Sequence, residues 1–209
     1  MENLMGNIFF KPWVGENYQN GGIFKKRILI LGEAHICGGC GDCGKFENAD
    51  ECGDFTTNNC MDVLLSGEKA SWTATFRKFE KSLVGHDTSL DESREVWNSV
   101  AFYNYVQKSL DGSRKSPEWV DFCNSKDAFF EVLENLQPDL IIVWGVTRMW
   151  NNMPSAGWDE GEAMVIDGYE VKNGWYTLGN RHRVRAIWVY HPSAGYSWDW
   201  WNKVIKEVL

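Results

Sequence analysis

RILILGEAH, residues 27–35, decides how this chain is read. Four consecutive apolar residues, Ile28 to Leu31, leave no polar face, so the strand they form is buried on both sides. Strands of that kind belong to parallel sheets covered by helices. Gly32 closes the run, and a carboxylate and a histidine follow at once.

The pattern recurs along the chain. VAFYNYV at 100–106 carries the β-branched and aromatic residues of a strand, DLIIVWG closes a buried strand at Gly145, and RAIWVY at 185–190 runs into HPSAG. Helical segments separate them. WTATFRKFEKSLV sets Trp72, Phe76, Phe79 and Leu83 at helical spacing. Residues 90–98 place Asp91 and Glu92 in a first turn, where carboxylates favour the dipole. A long helix is expected from about Pro117, with Trp119, Phe122, Phe129, Phe130, Val132 and Leu133 packing into the core. Asp167-Gly168 and Asn173-Gly174 predict turns of a β-ribbon, and the tail from Trp198 predicts a closing amphipathic helix.

Strands alternating with helices predict an α/β fold, a three-layer sandwich with a central, mostly parallel sheet covered by helices on both faces. Ligands of such sheets bind at the carboxyl ends of the strands. GEAHICGG, the end of VAFYNYVQ, the end of IIVWGV and HPSAG should therefore lie along one edge.

The chain has 209 residues, enough for one domain spanning 1–209. A net charge of −8 counts against tight, non-specific duplex binding, although Lys25-Lys26-Arg27 and Arg181, His182, Arg183 and Arg185 are local basic groups. The twelve tryptophans supply core area before anything else. No apolar run reaches the roughly 18–20 residues of a membrane span, and MENLMGNIFFKPW lacks a basic head followed by an apolar stretch. A cytoplasmic protein without a membrane partner is expected.

Five of the six cysteines, Cys37, Cys40, Cys43, Cys52 and Cys60, fall in a loop at 35–60 that has few apolar residues. In a reducing compartment such a cluster reads as metal-binding. The expected site is a structural zinc on Cys37, Cys40 or Cys43, Cys52 and Cys60, with His35 in reserve; an iron–sulfur cluster is the rival.

Strand-GEAH at 28–35, Asn104 at a strand end, LIIVWG at 140–145 and strand-HPS at 187–193 occur in the order found in the uracil-DNA glycosylase superfamily, which this chain resembles over roughly residues 27–200. The resemblance implies a DNA glycosylase-like hydrolase that flips a damaged or modified base and cleaves its N-glycosidic bond. It implies Glu33 as the residue that orients water and His191 as the group that stabilises the departing base. Gly32, Ala34, His35, Asn104, Pro192 and Ser193 would contact the substrate, Asn104 reading the base edge and Ser193 holding phosphate. The partner is then DNA or a nucleotide. Two departures stand out: His35 occupies the place of the usual proline, and Ala34 that of an aspartate common in strongly uracil-active branches. The stacking aromatic is either Phe46 or Phe55. The alternatives are a non-catalytic nucleobase- or nucleotide-binding module on the same fold, or a hydrolase of free nucleosides or nucleotides.

Overall fold

A computed structural model describes residues 6–37, 52–110, 112 and 115–209. Among them, nine strands are β1 (Trp13–Val14), β2 (Ile28–Gly32), β3 (Val100–Asn104), β4 (Leu140–Trp144), β5 (Trp158–Glu160), β6 (Met164–Ile166), β7 (Tyr169–Val171), β8 (Asn173–Thr177) and β9 (Arg183–Val189). The helices are α1 (Asp62–Ser66), α2 (Thr73–Val84), α3 (Leu90–Asn98), α4 (Trp119–Asn124), α5 (Lys126–Leu136) and α6 (Trp198–Lys206).

Seven strands form one sheet in the order β1-β3-β2-β4-β9-β8-β5, and β6 and β7 form a separate hairpin. The four central strands, β3, β2, β4 and β9, are parallel. The flanking β1, β8 and β5 pair antiparallel. The sheet is therefore mixed rather than mostly parallel. The two-sided burial read from RILIL holds for the centre, where every residue of β2, β3 and β4 is buried.

Alternation along these strands divides their side chains between two apolar clusters. Ile28, Ile30, Phe102 and Ile142 pack with Phe79 and Leu83 of α2, Trp97 of α3 and Val204 of α6. Leu29, Leu31, Ala101 and Val143 pack with Phe129, Val132 and Leu133 of α5. Each fully buried Leu or Ile contributes about 1.5–3 kcal/mol, so β2 alone is a large share of the driving force.

One polar network is sealed inside the first cluster. Glu80 of α2, 0 % exposed, accepts hydrogen bonds from Ser93 Oγ at 2.5 Å, Trp97 Nε1 at 2.7 Å and Arg77 Nη1 at 3.3 Å, and from Thr88. It ties α2 to α3 behind the sheet.

Three local expectations are corrected. The helix after Pro117 is two helices, because Ser125 donates its hydroxyl back to the Asp121 carbonyl and accepts the backbone N–H of Gln107. Trp119 is 73 % exposed and lies outside the core. Asp167-Gly168 does turn the β6–β7 hairpin, both residues having positive φ, but Asn173-Gly174 lies within β8. A Cβ on Gly174 would stand 2.3 Å from Trp158 and 2.4 Å from the Asp159 carbonyl, so glycine there allows β5 to approach closely.

Candidate active site

The strand ends meet where the sheet rule puts them. A cavity of about 480 Å³ opens at the carboxyl edge, bordered by Gly32 and Ala34 after β2, Asn104 of β3, Trp144 of β4, and His191 and Ser193 after β9. Its walls are largely aromatic: Phe55, Trp72, Phe76, Phe102 and Trp144. A π-helical segment, Thr56–Met61, brings Asn59 and Cys60 to the wall. Such segments are rare and frequent at functional sites.

Backbone bonding fixes the segment after β2. Tyr105 N–H donates to the Gly32 carbonyl, Val106 N–H to that of Glu33, and Leu110 N–H to that of His35. GEAH is thus stitched to the chain leaving β3, and Asn104 is carried with it.

Asn104, 7 % exposed, donates through Nδ2 to His35 Nδ1 at 3.0 Å. His35 Nε2 stands 3.0 Å from Thr56 Oγ1 and donates to it once Nδ1 is the acceptor. The ring lies between Phe10 and Phe55, with centroids at 4.7 and 4.9 Å. Burial pushes its pKa down to about 3, so it is neutral. His35, itself part of the cavity lining, therefore orients Asn104, and both of its nitrogens are engaged.

Gly32 is needed at its place. A Cβ there would come within 2.1 Å of Asn104 Oδ1.

Glu33 pairs with Arg148, Arg148 Nε lying 3.1 Å from Glu33 Oε2. Burial raises the Glu33 pKa above the ordinary carboxylate range, and the Arg148 charge works against that rise. Both residues border a second cavity of about 330 Å³, which shares Trp144 and His191 with the first.

His191 sits open to solvent on one side at the junction of the two cavities. Its Nδ1 accepts the backbone N–H of Ser193 at 3.3 Å and lies 2.7 Å from Ser193 Oγ. Because a backbone N–H can only donate, Nδ1 is unprotonated and the proton of the neutral ring is on Nε2. Partial burial first, then the Arg148 charge, lower its pKa below 6.5, keeping it neutral at physiological pH. A neutral Nε2–H is a donor suited to a carbonyl oxygen that gains negative charge. Pro192, buried, fixes the turn between these groups.

The structure thus brings Gly32, Glu33, Ala34, His35, Asn104, His191 and Ser193 to one edge, with Pro192 in support. Phe55 lines the cavity, whereas Phe46 lies outside the described residues. Cys40 and Cys43 also lie outside them. Among the described residues no three His, Cys, Asp or Glu side chains converge as a metal set. Burial pushes the Cys60 thiol up to about 12, so it is protonated in this state.

Sequence reasoning missed Arg148, Asn59 and the wall of Trp72, Phe76 and Trp144. Arg148 was legible in principle, since it follows Gly145 by three residues at a carboxyl strand end. The basic groups that were noted stand at the other edge, before β2 and around the start of β9. There Arg27 pairs with Asp139 at 2.9 Å, His182 meets the Pro138 carbonyl, and Arg183 and Arg185 lie over Trp175.

A scan against protein-family models finds no match, and a search of curated proteins finds none.

Proposed function

We propose that the chain is a glycosylase-like hydrolase that takes a nucleobase into the 480 Å³ cavity and cleaves its N-glycosidic bond. The supporting observation is the convergence of an aromatic-walled cavity, the oriented amide of Asn104 and the Nε2–H of His191 at one sheet edge, with a carboxylate beside them. Drawing a base out of a stack costs a few kcal/mol. Stacking on aromatic walls returns roughly 1–3 kcal/mol per base, so edge hydrogen bonds decide which base stays.

In this reading Glu33 takes a proton from water as the water attacks the sugar carbon. The bond to the base nitrogen breaks, its electron pair leaves with the base, and His191 Nε2–H stabilises the resulting anion. A carboxyl pKa raised by burial suits Glu33 to act as a base nearer neutral pH. Ser193 is exposed beside His191, and its hydroxyl would contact a phosphate oxygen on turning away from His191 Nδ1.

The two apolar clusters support a three-layer sandwich, and the cysteine cluster supports a structural zinc pinning the rim after Glu33. Cys37, Cys52 and Cys60 would hold it together with Cys40 or Cys43. Metal analysis of protein purified under reducing conditions tests that assignment against iron and acid-labile sulfide.

The functional test is base release from single-stranded and duplex oligonucleotides carrying uracil, hypoxanthine and other altered bases, with abasic sites opened by alkali. Release at one base, lost in His191→Ala and Glu33→Gln, is expected. Binding of the base without release by folded, metal-replete protein would identify a recognition module instead.

A further inference from the structure

We propose that the 330 Å³ cavity is an anion subsite in which Arg148 holds a phosphate group of the nucleotide whose base fills the larger cavity. The proposal rests on the base-binding reading above. It adds a site and a ligand chemistry, since Ser193 alone carries no charge.

Arg148 is the one Lys or Arg among the described residues that line either cavity. Gly145, with φ +105°, turns the chain out of β4 and presents the loop that carries it. Nε donates to Glu33 and Nη1 to the hydroxyl of Ser116. A guanidinium has five N–H donors in a planar fork, more than these two partners take up, and the fork matches phosphate geometry. The side chain is half exposed, so an incoming ligand reaches it without unpacking the core.

A further observation points to a nucleotide here. Trp144 and His191 line both cavities, which makes the cavities adjacent compartments, as base and phosphate are adjacent groups of one nucleotide. Glu33 opposes an anion by its own charge, and the Arg148 pair offsets that opposition. Glu33, Arg148, Tyr190 and His191 are the titratable side chains lining this compartment.

The first probe is inorganic phosphate, which contains no base. The Arg148 Nε–H resonance, assigned by its disappearance in Arg148→Lys, should move on phosphate titration and stay still with a nucleoside. A resonance unmoved by phosphate overturns the proposal whatever the base-release assay gives. Phosphate binding without any base release leaves the subsite standing and removes the glycosylase reading.

The second probe compares a nucleoside, its 5′-monophosphate and a trinucleotide. Arg148→Gln should weaken both phosphorylated ligands about 10-fold or more and leave the nucleoside unchanged, with partial recovery in Arg148→Lys. Equal losses for all three would make Arg148 a partner of Glu33 only and overturn the subsite. A trinucleotide salt slope that falls by about 1 in Arg148→Gln assigns the phosphate to a polymer backbone. Loss confined to the monophosphate assigns it to free nucleotides.

Discussion

The amide of Asn104 and the imidazole of His35 form one unit: Nδ2 donates to Nδ1 at 3.0 Å, and the ring passes its own proton toward Thr56. Neither is fully intelligible alone. The histidine that follows Gly32 by three residues is the support that aims the amide.

Replacing His35 tests this. His35→Leu leaves the Asn104 donor and Thr56 without their shared partner, and should cost about 1–3 kcal/mol. Base binding should fall about 10-fold, with folded far-UV dichroism retained. The pH dependence has a definite sign. The folded pKa of about 3 lies below the usual 6.5, so the unfolded chain takes up a proton there first. The stability His35 contributes is complete above pH 6.5 and is lost as pH falls toward 3. Denaturant melts across that window should show a shallower acid slope in His35→Leu than in the parent.

Gly32→Ala places a methyl where Asn104 Oδ1 now sits, at 2.1 Å. Backbone at a central strand end cannot retreat, so the amide must move. Nucleobase affinity should drop at least about 10-fold, with a stability loss of about 1–3 kcal/mol. Retained affinity by calorimetry would show that Asn104 does not contact the ligand.

Glu33→Gln should trade activity for stability. A carboxyl whose folded pKa is raised disfavours folding once it is ionised, so the penalty is absent below its ordinary value of 4.5 and complete above the folded one. At pH 7 the variant should melt at a higher temperature than the parent, and the gap should close as the pH falls to 4. Base release should fall about 100-fold or more.

Glu80 lines neither cavity, and its replacement should act through stability. Glu80→Ala leaves Trp97 Nε1, Ser93 and Arg77 without their common acceptor inside the core. A loss of about 3–5 kcal/mol in denaturant unfolding is expected. At temperatures where the variant is folded, ligand affinity should match the parent.

Much of the frame was readable because apolar runs such as RILIL and LIIVW have only one buried use, and punctuation by glycine marks where they end. The carboxyl-edge rule then grouped Gly32, Asn104 and His191 without any contact being known. What escaped had nonlocal causes. Ser125 breaks a helix because of a hydroxyl shared with Gln107, and Asn173-Gly174 resembles a turn but serves the approach of Trp158. Arg148 was overlooked because charge clusters drew attention to Arg27 and Arg185, which are occupied at the opposite edge.

The parallel centre has a kinetic consequence. Gly32, Asn104, Trp144 and His191 come from four strands, and the partners β2 and β9 never touch directly, since β4 lies between them. The sheet-edge wall of the cavity is therefore a long-range product of the chain, assembled only by pairing strands distant in sequence. Ligand binding during refolding should lag behind the recovery of helical signal and appear only when β9 docks. Occupancy of this cavity is thus a clock for the last step of assembly.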